Sequence, residues 1–318
     1  MSIAQATVIA HSVSDQGIPL ITFQLRYWRP IHAECRTHRV LSQSSEQVVV
    51  LEQEISLMDD RDMSRNAGSS RARPSKAIIE QVRSNPWGPL HWGKNQPGMQ
   101  AHTELEGDAL RNVKGCWKNA AVQAASAAQF MLDHGAHKQI VNRLLEPFTY
   151  IDVVMTGTDF ANWFALRDHP DADPGIQNLA QVMKEALADS KPIHLRPGQW
   201  HLPYITLDDM VMVREFMAED EVYANMNPLP LLRKISAARC ARVSYKAFDG
   251  TVSPIAADLE LFNKLVRAEL VHASPTEHQA TPDFWEGSNG EWLNPEMHGN
   301  FRGWIQHRKL IPNEYVAG

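Results

Sequence analysis

Residues 174–190, PGIQNLAQVMKEALADS, constrain the fold more than any other stretch of the chain. Ile176, Leu179, Val182, Met183, Ala186 and Leu187 recur at three- and four-residue steps, which lines them up on one face of an α-helix. Such a helix needs an apolar surface to cover. Two β-rich runs offer one. PLITFQLRYWRPIHAEC, at 19–35, alternates apolar and polar residues and reads as a strand or strand pair broken near Pro30; TYIDVVMTGT occupies 149–158. Helices interspersed with strands in one chain predict a single α/β domain with insertions.

Further helices are predicted over KAIIEQVRS (76–84), over 106–135 with Gly135 as a C-terminal cap, over HKQIVNRLLEPF (137–148) and within DFANWFALRDHPDAD (159–173). KISAARCARVSY (234–245) reads as a helix ending in a strand, and the segment from Ser253-Pro254 as a helix followed by a loop. Residues 85–100 form a Pro/Gly/Trp-rich loop, 190–232 are mixed, and the last 40 residues are irregular.

The 318 residues carry a net charge of −6, which argues against nucleic-acid binding through a basic surface. An anionic ligand would have to be gripped by a local cluster. No apolar run approaches the roughly 20 residues of a membrane span. With no signal-type opening segment and three scattered cysteines (Cys35, Cys116, Cys240), a cytoplasmic, reduced protein without disulfides is expected. His134 and His137, or His272 and His278, match no zinc motif, so no metal is expected.

Two short stretches stand out. RTHRVLS (36–42) follows the first β-rich run, and RNAGSSR (65–71) opens a loop that ends at Pro74. Arg36, His38 and Arg39 could fork onto an anion; Gly68, Ser69, Ser70 and Arg71 could cradle one with backbone N–H groups, hydroxyls and a guanidinium. Each stretch alone reads equally well as a solvated strand end or a polar loop. Between them stand 22 residues, including QVVVLEQEISLM, one more strand or a helix. Arg143 and Arg167, each on an apolar helical pattern, are either edge residues or ligand hands.

With those 22 residues removed, RTHRVLS and RNAGSSR resemble the signature of flavin-dependent thymidylate synthases. His38, Arg39 and Ser42 (or Ser64) fill its first half, and Asn66, Ser69 and Arg71 its second. Residues 142–176 resemble the family's Arg–Leu–Pro strand and Asn-containing helix, with Arg143, Asn162 and Arg167 on matching positions. AARCARVSY and HASPTEH resemble segments that usually precede the signature, so the chain resembles a circularly permuted form. The three blocks cover roughly half of the chain.

The resemblance implies a mixed α/β (α+β) fold, an antiparallel-rich sheet with flanking helices, spanning 1–318 with an insertion at about 43–64 and a C-terminal extension at about 280–318. It implies a homotetramer with active sites between subunits, FAD as cofactor, and NADPH and methylenetetrahydrofolate as co-substrates in converting dUMP to dTMP. No nucleic-acid or membrane partner is implied. A dUMP hydroxymethylase, or an impaired nucleotide- or flavin-binding relative, fits the same residues. By resemblance, Glu34, Ser69, Ser70, Arg71, Arg143 and Arg167 would bind dUMP, with Arg167 catalytic against the uracil ring. His38, Arg39, Asn66, Asn162, Ser244, His272, Ser274 and Glu277 would hold FAD. The chain departs from the pattern at Thr37 (family Arg), Glu34 (family Gln) and Ala67 (family Glu).

Overall fold

A computed structural model describes residues 3–36, 63–67, 73–98, 100–219, 223–242, 253–266, 272–286 and 290–314; for Glu34, Arg36 and 63–67 it describes the backbone alone. The centre is a five-stranded sheet in the order β3-β4-β2-β1-β5. Its members are β1 (Gln5–Val13), β2 (Pro19–Trp28), β3 (Met63–Ala67), β4 (Tyr150–Gly157) and β5 (Ile193–His194). All pairings are antiparallel except β1 with β5. The expected mixed α/β, antiparallel-rich architecture is therefore present.

The helices among the described residues are α1 (His32–Arg36), α2 (Ser75–Ser84), α3 (Gly107–Asp133), α4 (Lys138–Val141), α5 (Ala161–Arg167), α6 (Pro174–Ala188), α7 (Leu207–Ala218), α8 (Leu229–Arg242) and α9 (Ile255–Val266). The helix expected at 174–190 is α6. Asp173 caps it, accepting hydrogen bonds from the backbone N–H of Gly175 at 2.8 Å and Ile176 at 3.1 Å. Its apolar face (Ile176, Leu179, Met183) packs with Trp163 of α5 on Phe23, Leu25 and Tyr27 of β2 and on Ile151, Val153 and Met155 of β4. Burying a side chain of this kind contributes about 1.5–3 kcal/mol. α2, α3 and Leu145 and Phe148 form a second apolar cluster. α3 ends at Asp133, and Gly135, just past the C-cap His134, has the φ of +82° that suits a left-handed cap.

The opposite face of the sheet is unlike the first. Side chains alternate along a strand, so residues of β2 and β4 that avoid the apolar core share the other side. Register pairs them as Arg26↔Asp152, Gln24↔Val154 and Thr22↔Thr156. This polar face is covered by Tyr204, by Cys240 of α8 and by the segment after the 3-10 turn Ser274–Glu277.

Several expectations need correction. The run 19–35 is a strand only to Trp28. Pro30, which cannot donate to a ladder, sits in a 3-10 turn (Arg29–Ile31) leading into α1. HKQIVNRLLEPF is not one helix: α4 gives way to a 3-10 segment, Asn142–Phe148, because Pro147 interrupts the ladder. Residues 63–67, read as loop and as the end of the insertion, form β3, with Met63 and Ser64 opposite Gly157 and Thr156. The rest of 43–64 lies outside the described residues. The N-terminal strand β1 was not foreseen. The C-terminal segment is less irregular than expected: β6 (Ala280–Pro282) pairs with β9 (Trp304–Gln306), β7 (Trp285–Glu286) with β8 (Glu291–Trp292), and Trp304 is fully buried.

Candidate functional site

One end of the polar face carries a concentration of arginines. Arg26 makes a two-pronged ion pair with Asp152, Nε–Oδ1 at 2.6 Å and Nη2–Oδ2 at 3.1 Å. Its guanidinium lies 4.2 Å from the centre of the Tyr150 ring, and that of Arg73 lies 4.6 Å from the same ring. Arg73 also donates to the Tyr150 hydroxyl at 3.1 Å, while its carbonyl accepts from Asn142 at 3.0 Å. The last bond ties Arg73 to the 3-10 segment that presents Arg143. Arg29 pairs with Glu146 at 3.4 Å, and its backbone N–H donates to Thr149 at 3.0 Å.

These groups act on one another. Burial pushes the Arg29 guanidinium below its ordinary pKa; Glu146 pulls it back up, and the nearby cations Arg73 and Arg143 push it down again. Burial likewise raises the Asp152 carboxyl, against the pull of Arg26 and Arg73. Among the described side chains, four guanidinium groups (Arg26, Arg29, Arg73, Arg143) accompany two carboxylates (Asp152, Glu146), a surplus of two positive charges. Beside them opens a cavity of about 440 Å³ lined by Arg29, Pro30, His32, Ala33, Arg143, Glu146 and Pro147. Arg143 is exposed there and makes no ion pair with a described residue. A phosphate monoester, with close to two negative charges at neutral pH, complements such a surplus.

The placement of the expected site residues follows the chain. α1, whose first residues line the cavity, ends at Arg36; Arg65, Asn66 and Ala67 of the second half lie in β3, and Arg73 of the cluster stands two positions past Arg71. His38, Arg39, Ser69, Ser70, Arg71 and Ser244 themselves lie outside the described residues. Glu34 is in α1 beside the cavity wall, and Asn66 is in β3 opposite Val154. Asn162 is half-buried in the first turn of α5; Arg167 ends that helix, with its Nε buried and without a hydrogen-bond partner. No hydrogen bond or ion pair among the described residues links Arg167 to the arginine cluster.

Of the residues expected at FAD, His272 and Ser274 are exposed around the 3-10 turn Ser274–Glu277, which packs against β3. They suit the polar periphery of a dinucleotide. Glu277 suits it less, because Arg308 holds its carboxylate in an ion pair and Gln306 donates to its carbonyl at 2.8 Å. The sequence reading passed over Arg26, Arg29, Arg73 and Tyr150. Arg73 stands two positions past Arg71 in the same polar loop, and that spacing was the available signal.

No family model matches this sequence, and no curated protein matches it. Solved structures do. The UMP/dUMP methylase PolB from Streptomyces cacaoi, bound with 5-Br UMP, is similar at 19% identity and a TM-score of 0.41, over 59% of this chain and 90% of that one. The same methylase bound with 5-Br dUMP is similar at 15% identity and a TM-score of 0.41, over 59% and 91%. Among the described residues, no helix is long and apolar enough to cross a membrane, and no group of three or more metal-ligating side chains occurs.

Proposed function

We propose that the chain is an enzyme that binds a uridine 5′-monophosphate and modifies C5 of its ring, with dUMP as substrate and dTMP as product. The observation that carries this reading is the guanidinium cluster at the cavity, where Arg29 and Arg143 stand with one carboxylate, Glu146, and Arg73 is close enough to act on Arg29. Arg143 and Arg73 would fork onto phosphate oxygens, joined by Ser69, Ser70 and Arg71. Arg29 and Glu146 would set the cavity floor. Arg167 would stabilise negative charge developing on the pyrimidine, as a fixed cation in a site shielded from water.

FAD would supply the hydride chemistry when bound, with NADPH and methylenetetrahydrofolate as co-substrates. His272, Ser274, Asn66 and Asn162, with His38, Arg39 and Ser244, would hold it, and the active form would be a homotetramer. A second reading, an impaired nucleotide-binding relative, is favoured by Ala67 in place of the family Glu and by the Arg308–Glu277 pair. Tritium release from [5-³H]dUMP with FAD, NADPH and methylenetetrahydrofolate separates the two. Release that Arg167→Ala abolishes is expected. Tight dUMP binding without release would leave the second reading standing, and absence of both would overturn the proposal.

A further inference from the structure

A second group of cations stands on α8. Arg233 and Lys234 are consecutive residues of that helix. The Arg233 guanidinium lies 4.5 Å from the centre of the Trp200 ring, and the Lys234 ammonium 5.9 Å from that of Phe262 in α9. His307, which opens the 3-10 turn His307–Leu310, touches both rings. Its imidazole stacks on Phe262, 8° from parallel with 6.0 Å between centres, and meets Trp200 edge-on at 5.9 Å. Trp200, Arg233 and Lys234 are half-buried, whereas His307 is only 6% exposed.

Among the described residues, the fold supplies these cations with no anion. Neither makes a hydrogen bond or ion pair with a described residue, and Nε of Arg233 is buried without a partner. The next two cations of the C-terminal turn differ. Arg308 pairs with Glu277 and Glu314, and Lys309 with Glu314, so two positive charges meet two negative ones. His307 shares the surroundings of Arg233 and Lys234. Burial takes its imidazole down to about 3, and the charges of both cations push the same way. The ring is therefore neutral and carries one proton. Nδ1 is enclosed without a partner among the described residues, whereas Nε2 is not enclosed and makes no hydrogen bond with one. Buried donors go unpaired less readily than buried acceptors, so the proton sits on Nε2, where solvent or a ligand accepts it.

We propose that Arg233, Lys234 and His307 form a second anion site, which takes a phosphate dianion, free or carried by a small metabolite. Two uncompensated cations and one neutral N–H match two negative charges spread over three terminal oxygens; a carboxylate offers one charge and two oxygens. Arg233 supplies a fork, Lys234 a point charge and His307 Nε2 a single donor. Stacking on Trp200 already holds the Arg233 guanidinium, so less side-chain freedom is lost on binding. The site stands apart from the closed network at the other end of α8. Arg233 precedes Arg242 by nine residues, roughly 13.5 Å along the axis and half a turn around it. Occupancy ties α8 to the turn His307–Leu310, which packs on the turn Ser274–Glu277. None of this rests on the uridylate reading.

Ring ¹⁵N shifts of the histidine-labelled full chain test it, with the His307 signals assigned by their loss in His307→Gln. Inorganic phosphate is titrated in at constant ionic strength, balanced with sodium chloride. The expected result is a saturable movement of the His307 Nε2 signal. Its Kd should rise by about tenfold or more in Arg233→Gln and in Lys234→Gln, as for loss of one charge-assisted bond. Arg143→Ala, at the uridylate cavity, should leave that Kd unchanged. No saturable movement, the same movement with chloride alone, or a Kd untouched by Lys234→Gln would overturn the site; the half-buried Lys234 keeps the test available should Arg233→Gln not fold. Ribose 5-phosphate in a parallel titration separates the sources. Tighter binding than phosphate assigns the site to a phosphorylated metabolite, and equal binding assigns it to the phosphate group alone.

Discussion

Two arginine-rich regions of this molecule do different work, and the carboxylates around them explain why. In the closed region, Arg239 of α8 grips Asp209 of α7 with two bonds, at 2.7 and 2.8 Å, reaches Asp258 of α9 at 3.1 Å, and donates to the carbonyl of Tyr204 at 2.7 Å. Arg242 and Ser253 also donate to Asp258, which is fully buried. Burial alone would raise the Asp209 carboxyl, but the bonds from Arg239 and Thr206 outweigh it and hold it below the usual range. Nothing there is left for a ligand. In the open region, Arg29 and Arg143 line a cavity with one carboxylate, Glu146, and the charges of Arg73 and Arg143 act against that of Arg29. The lesson is that an arginine's role follows from the anions supplied to it by the fold, not from its local sequence.

The sharpest way to break the contrast is to remove Asp258. Asp258→Ala leaves Arg239 and Arg242 buried without their shared partner and should destabilise the fold by about 3–5 kcal/mol in chemical unfolding. The corresponding cut in the open region should do the reverse. Arg143→Ala should leave the melting temperature within the scatter of surface substitutions while weakening dUMP binding. Loss of a charge-assisted bond worth about 1.5–3 kcal/mol corresponds to roughly ten- to a hundredfold in Kd. Arg73→Ala should weaken binding similarly and lower stability slightly, since Arg73 also rests on Tyr150.

Acid titration separates the regions by sign. Asp209 has a depressed pKa, so its contribution is full above the unfolded carboxylate value of about 3.9 and is lost as pH falls through its folded pKa. Asp152 has a raised pKa, so the folded state takes up that proton first, and this group favours folding as pH falls toward the unfolded value. Measured by urea unfolding between neutral pH and the carboxylate range, Asp209→Asn should flatten the acid loss and Asp152→Asn should steepen it. The smallest effect is ionic. Raising salt should weaken dUMP binding at the open cluster, and leave the closed network's share of stability nearly unchanged, because screening acts on exposed charge.

The sequence disclosed elements whose pattern is local. α6 and α2 follow from apolar spacing, β4 from its β-branched run, and the end of α3 from Gly135. It hid those set by partners. β3, with Met63, Ser64 and Asn66, becomes a strand through pairing with β4, which composition does not reveal. Pro147 inside HKQIVNRLLEPF turned an expected helix into a 3-10 segment, and that segment carries Arg143 at the cavity wall. Arg143 was singled out from the sequence, but Arg29 and Arg73 lie 44 positions apart and meet only through the fold. The group of Trp200, Arg233, Phe262 and His307 carries no motif, since its members come from a loop, two helices and a 3-10 turn.

The most direct test of the uridylate site is calorimetric titration of the full chain with dUMP and with deoxyuridine, for the unmodified protein and for Arg143→Ala. The account predicts that dUMP binds much more tightly than deoxyuridine, and that Arg143→Ala removes most of that difference while the protein stays folded. Equal affinity for the two ligands, or a phosphate preference untouched by Arg143→Ala, would contradict it.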